Sequence, residues 1–315
     1  DVNSIGAGTA NRPVNCAAAG VPAGEVLTAD YGGSIGFLSG GNPELQAETS
    51  DSITIGGVLT PAFLPGFSFS ADYYSIKIKD VITAPTAQQV FNACYDLASL
   101  DNPFCALFER AGAAGQGPNQ PFGIIGNSLD LTPLNYAKLK ARGVDIEVAY
   151  RGRIGNLGRL ETRFNWTHAL ELTQHIDPTD PTFGDRLLSE LGAGAQPAAP
   201  KNAFNWDTSL HRGALTFGYR MRYIGRLTVG TYESAHSFQG RPPQDEDFSE
   251  RVWLPSRFYH DVRLGIDVGK RYNFYVGVDN LTDTKPPYSA TGIGGGSAIY
   301  DAIGRFYYAG FVAKF

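Results

Sequence analysis

The chain has 315 residues, room for one or two domains, and a formal net charge of −5 with 18% charged residues and no basic tract, which disfavours nucleic acid as a partner. Its 38 glycines, 16 tyrosines, 19 phenylalanines and single methionine set it apart from an ordinary soluble enzyme. It has no run of about 18 apolar residues, so no helix would cross a membrane, but strands that cross alternate in polarity and escape such a search.

In chain order, no secretory signal opens the sequence, and Asp1 to Gln46 reads as the second half of a loop. Ile53, Ile55, Gly57 and Leu59 then share one face of a first strand. After a turn over Pro61 to Gly66, Phe67, Phe69, Ala71 and Tyr73 share a face of the second, opposite Ser68, Ser70 and Asp72. The apolar phase then switches to Tyr74, Ile76 and Ile78, beside Ser75, Lys77 and Lys79, which predicts a bulge or a strand rising out of lipid to pack inward.

A long connection, Asp80 to Asn135, leads to Val144, Ile146, Val148 and Tyr150, which alternate with Asp145 and Glu147. A short turn around Gly152 to Gly158 precedes Leu160, Phe164 and Trp166. A second long connection, from about Glu171 to Pro200, precedes Phe204, Trp206 and Leu210. His211-Arg212-Gly213 turns the chain into Leu215, Phe217, Tyr219, Met221 and Tyr223. A third long loop, Leu227 to Pro255, precedes Phe258, Val262, Leu264, Ile266 and Val268. Lys270-Arg271 turns into Tyr272, Phe274, Val276 and Val278, and a last loop, Leu281 to Gly304, precedes the closing strand with Tyr307, Phe311 and Phe315 on one face.

The result is nine strands joined alternately by short turns and long loops, the pattern of a transmembrane antiparallel β-barrel with short periplasmic turns and long extracellular loops. The apolar faces carry almost no charge, as expected where a lipid-facing charge costs roughly 2–4 kcal/mol. A soluble β-sandwich also explains the alternation, but not the one-sided loop lengths. An open nine-stranded sheet would leave unpaired edges in lipid, and bacterial single-chain barrels have even strand numbers. The chain is therefore expected to be a C-terminal portion of a longer barrel.

Cys94 and Cys105 flank ten residues, a spacing that suits a small loop disulfide better than a zinc site, and Cys16 is left over. The histidines, including His260 beside Asp261, show no metal-ligand spacing, and an outer-membrane enzyme is not expected.

Three stretches and the closing strand resemble TonB-dependent outer-membrane receptors. Gly41-Asn42-Pro43-Glu44-Leu45-Gln46-Ala47-Glu48-Thr49-Ser50 is similar to the G-N-P-x-L-x-P-E-x-S segment before a late strand of that family, with Ala47 in place of the usual proline. Phe69 to Ile78 resembles the strand that follows, and Val278-Asp279-Asn280-Leu281-Thr282-Asp283, with Pro286 and Tyr288, resembles the exit from the penultimate strand. The strand ending at Phe315 completes the order.

The resemblance implies an all-β chain, residues 1–315, forming the last nine or so strands of a barrel of about 22 in the bacterial outer membrane. It implies TonB-dependent uptake of a scarce nutrient such as a ferric siderophore or an oligosaccharide; the alternative is a passive porin-like channel. Implied partners are an N-terminal plug and early strands absent from this sequence, the TonB-ExbB-ExbD complex acting through the plug, outer-membrane lipid, and the barrel assembly machinery. No cofactor or metal is expected. Candidate substrate contacts are the loop residues Tyr95, Phe104, Arg110, Tyr232, Trp253, Tyr288 and Tyr300; others in the same loops are Asp96, Phe108 and His236. The competing expectation is that these side chains pack the loops or sit in an interfacial girdle.

Overall fold

The computed structural model describes residues 11–22, 36–117, 119–176, 185–191, 200–228, 253–269, 271–287 and 299–314. Nine strands form one antiparallel meander: β1 (Thr49–Leu59), β2 (Phe67–Thr83), β3 (Leu134–Ile154), β4 (Gly158–His175), β5 (Asn202–Arg212), β6 (Leu215–Ile224), β7 (Arg257–Val268), β8 (Tyr272–Asp279) and β9 (Phe306–Ala313). Each pairs with its sequence neighbours, and a two-residue strand, Asp185–Arg186, adds to the top of β4. Among the described residues, no strand pairs with the outer edges of β1 or β9.

The ladders place the apolar positions in continuous rows. One runs Gly57, Ala71, Ile146, Trp166, Phe204, Tyr223 and Phe258 across seven strands. Another runs Leu160, Leu210, Phe217, Leu264, Val276 and Ala309. Among the described residues nothing covers this face: Val276 is 55% and Phe311 67% exposed. So wide an apolar surface is foreign to a soluble monomer and fits a wall against hydrocarbon. Aromatic neighbours stiffen its upper rim, with ring centroids 4.8 Å apart for Phe204–Tyr223 and 4.7 Å for Tyr223–Phe258.

Short turns close the lower end. Gly66 (φ +86°) permits the close approach of β3, where a Cβ would lie 2.0 Å from the Arg151 carbonyl oxygen. On the inner face Tyr308 covers Gly277, its cross-strand partner, at a distance a Cβ would not allow.

β2, β3 and β4 are longer than predicted. At about 3.3 Å per residue, the 21-residue β3 exceeds the roughly 9–11 residues that cross a bilayer. The expected bulge lies beyond the phase switch: β2 pairs with β3 without a slip from Phe67 to Ile78, and the register shifts only after Ile78, where Asp80 has φ 56°. Tyr74, Ile76 and Ile78 therefore stay on the inner face of a strand that rises beyond the belt. The first two long connections are correspondingly shorter than their predicted bounds.

Two helices, α1 (Asn11–Ala18) and α2 (Ala87–Asp96), were not foreseen. The Thr86/Gln89 capping box that starts α2 was legible as T-x-x-Q: the Gln89 N–H donates to Thr86 Oγ1 (3.2 Å) and the Thr86 N–H to Gln89 Oε1 (2.8 Å).

Candidate functional site

The long-loop end of the wall carries a packed cap. α1, from the segment before β1, lies on α2, from the β2–β3 connection. Val90, Ala93, Cys94, Tyr95, Phe104 and Phe108 form its core with Cys16 and Leu129. Cys94 and Cys105 form a disulfide, with Cα atoms 4.6 Å apart, while Cys16 is a free buried thiol. The Arg12–Asp96 ion pair is buried between the helices, and Asn15 Nδ2 donates to the carbonyls of Tyr95 (3.0 Å) and Leu97 (2.8 Å).

This packing locates the predicted contacts. Tyr95 and Phe104 are buried in the cap, and Phe104 meets Tyr136 edge-on at 5.6 Å. Arg110 is half-buried; its Nε donates to the Tyr95 hydroxyl (3.0 Å) and its Nη1 to the Phe122 carbonyl. Burial pushes the Tyr95 hydroxyl above its ordinary pKa, with Arg110 opposing, and burial likewise raises the Cys16 thiol. Tyr232, His236, Tyr288 and Phe315 lie outside the described residues.

A second cluster sits at the mouth near β6 and β7, where Leu191, Ile224, Leu227, Leu254, Tyr259 and Tyr300 pack together. Tyr300 is buried, and burial raises its pKa. Arg222 lies 5.0 Å from the Tyr259 ring centroid and 3.7 Å from Asp301. The Tyr259 hydroxyl accepts from the Asp301 N–H at 3.2 Å. This inward-facing trio joins β6, β7 and the last loop, and no local sequence signal links its members. Trp253 is partly exposed, with the Arg226 guanidinium 4.2 Å above its ring.

Below the mouth the inner wall is polar. Arg163, Asp207, Arg220 and Asp261 occupy one row on four successive strands, with opposite charges alternating. Arg220–Asp207 (2.6 Å), Arg163–Glu147 (3.8 Å) and Arg151–Glu161 (3.2 Å) pair within the wall itself. These exposed pairs contribute little stability each but keep the face charged and wettable.

The motif residues are scaffold. Asn42 Nδ2 donates to the Pro133 carbonyl (3.0 Å). Asn135 accepts from the Gln46 N–H (2.8 Å) and donates to the Gln46 carbonyl (2.9 Å), clamping the start of β1 to the top of β3. Asn280 is fully buried with φ 49°, accepting from the Thr284 N–H (2.8 Å) and donating to the Thr284 carbonyl (3.0 Å). The Asp283 carboxyl accepts from the Arg305 N–H (3.0 Å) and Lys285 Nζ (2.9 Å), which hold its pKa below the ordinary range.

The family model "TonB dependent receptor-like, beta-barrel" matches residues 6–281. The chain belongs to the TonB-dependent receptor β-barrel family. It is a family of receptors, not enzymes, and it implies the outer membrane.

Three solved structures similar to this TonB-dependent receptor chain show the same fold. The ferric enterobactin receptor PfeA of Pseudomonas aeruginosa (G324V mutant) is 18% identical, with a TM-score of 0.56, over 88% of this chain and 32% of that one. The siderophore receptor PirA of Acinetobacter baumannii is 17% identical, with a TM-score of 0.56, over 88% and 33%. The FrpB iron transporter of Neisseria meningitidis (F3-3 variant) is 15% identical, with a TM-score of 0.52, over 88% and 33%. This chain thus spans about a third of the length of each. A search of curated proteins finds no match.

Proposed function

We propose that this chain forms the C-terminal part of the wall and mouth of an active uptake receptor in the outer membrane of a Gram-negative bacterium. The carrying observation is the nine-stranded meander that is apolar outside and charged inside, with folded loops at one end only. A wall of this kind needs further strands, because unpaired strand edges in hydrocarbon cost several kcal/mol per backbone group. Tyr307 and Phe311 of β9 stand on the lipid face beside one such unpaired edge, where a further strand would pair. A plug domain fills the lumen against the charged rows and is moved by TonB-ExbB-ExbD, while the barrel assembly machinery inserts the strands.

The cargo is a scarce nutrient, and the similarity to siderophore receptors favours a ferric siderophore over an oligosaccharide. In this reading Tyr95, Phe104 and Tyr300 act by packing the loops that shape the vestibule. Arg110, Trp253, Tyr232 and Tyr288 remain the proposed contacts from the predicted set. Iron-55 uptake from a panel of ferric siderophores, by cells whose only receptor is the full protein containing this chain, tests the proposal. Saturable uptake that disappears when TonB is deleted is expected. TonB-independent, non-saturable flux together with large steady conductance in planar bilayers would instead identify a passive channel.

A further inference from the structure

We infer that the outer face of β2–β4, just above the apolar belt, binds phosphate groups of outer-leaflet lipid. The inference rests on the membrane-barrel reading. Its first ground is an inversion of polarity along continuous strands. Tyr73 and Val144 are cross-strand partners on the outer face, and the β2–β3 ladder runs on without a slip to Ile78. Ser75, Lys77 and Lys79 on β2, and Arg142, Lys140 and Lys138 on β3, therefore point to the same side as the lipid belt. On β4 the register shift beside Arg142 brings Glu171 to that side as well.

The second ground is a like-charge contact. Lys77 and Lys140 sit directly opposite each other on adjacent strands, an arrangement that destabilises a sheet. Two carboxylates flank the pair, fewer than the five cations of the patch: Asp51, opposite Lys77 on β1, pairs with Lys79 at 3.3 Å, and Glu171 on β4 pairs with Arg142 at 2.6 Å. Among the described residues, Lys77, Lys138 and Lys140 have no ion-pair partner. This concentration of positive charge stands out in a chain of net charge −5. An anion between the two lysines would relieve their repulsion.

The third ground is shape. The surface here is recessed, and the recess is lined by Tyr73, Ser75, Lys77, Lys140, Arg142 and Glu171. An aromatic ring below and cations above match the order of acyl chain and phosphate at a membrane surface. Further along the wall, His168, Lys201, Arg226 and Trp253 line a second recess that Tyr223 of the apolar face also borders. Cations thus recur around the upper rim. Glu171 orients Arg142 through Nε and Tyr73 also bonds the guanidinium, whose remaining N–H groups can donate to a phosphate.

Native mass spectrometry of the full receptor in detergent tests this, with three probes: lipid A carrying both phosphates, its dephosphorylated form, and inorganic phosphate. The wild-type protein is expected to retain the phosphorylated lipid selectively. Lys77→Gln/Lys140→Gln/Arg142→Gln together should weaken that binding about a hundredfold, at roughly fivefold per cation. Glu171→Gln keeps an amide oxygen to accept from Arg142 Nε but removes the negative charge, so it should tighten binding, which keeps the test decisive if the triple variant inserts poorly. Equal retention of the two lipids, a triple variant that binds like wild type, or no gain from Glu171→Gln would overturn the inference. Inorganic phosphate binding as tightly as the lipid would overturn the lipid assignment. A receptor absent from the outer-membrane fraction as a heat-modifiable barrel would instead remove the underlying barrel reading.

Discussion

The cap and the wall answer to the same hydrophobic effect with opposite geometry. In the cap, Val90 and Ala93 are fully buried and Phe104 is 4% exposed, as in a soluble domain. In the wall, Val276, Phe274 and Phe311 stand on the outside, while Arg163, Asp207 and Arg220 face in. The solvent explains the difference: water surrounds the cap and hydrocarbon surrounds the wall. Length alone marks where one regime yields to the other, because β2–β4 outrun the bilayer and reverse their polarity as they leave it.

The sharpest way to break this comparison is to empty the cap. Phe104→Ala removes a buried ring at the junction of cap and β3, at a cost of about 3–5 kcal/mol if the site does not collapse. Hydrogen exchange should accelerate across residues 87–131 and stay unchanged in β5–β8. Equal acceleration in those wall strands would show that cap and wall unfold as one unit. The next effect concerns the wall. Val276→Arg on the outer face should cost about 2–4 kcal/mol in lipid, by urea unfolding from vesicles. Asn273→Arg on the inner face of the same strand should stay within about 0.5 kcal/mol, because the Asp267 carboxylate that Asn273 now contacts at 2.8 Å can accept from arginine. Equal penalties would mean that the two faces see the same solvent.

Strand number, order and facing were legible because a period of two, held over nine segments, leaves one register that segregates charge. Asn280 and Asp283 were legible as turn formers, and both have positive φ. The level of the polarity switch was readable at Tyr73–Tyr74, but not its cause: either a slip or a continued strand produces the same pattern, and only the unbroken ladder to Ile78 decides. The cap was illegible for a different reason. Arg12 and Asp96 are 84 positions apart, so nothing local predicts that they meet. Once they do, Tyr95 and Phe104, which read as accessible loop aromatics, become core.

The smallest predicted effect asks whether the cap titrates as a soluble core does. Burial raises the pKa of Cys16 and of Tyr95 above the ordinary values of 9.0 and 10.0. For both groups the protonated form is neutral, so the folded cap holds a proton that the unfolded segment releases. Their contribution is complete below about pH 9, falls as the pH rises past the unfolded Cys16 value, and falls again beyond the tyrosine value. Limited proteolysis between pH 8 and 11 should therefore show the cap becoming easier to cut while the wall stays resistant. Cys16→Ser removes the earlier onset and Tyr95→Phe the later one, although the second also deletes the hydrogen bond from Arg110. A cap that resists cutting more strongly as the pH rises would contradict the burial of both groups, and with it the view that this end of the receptor is folded around its own interior.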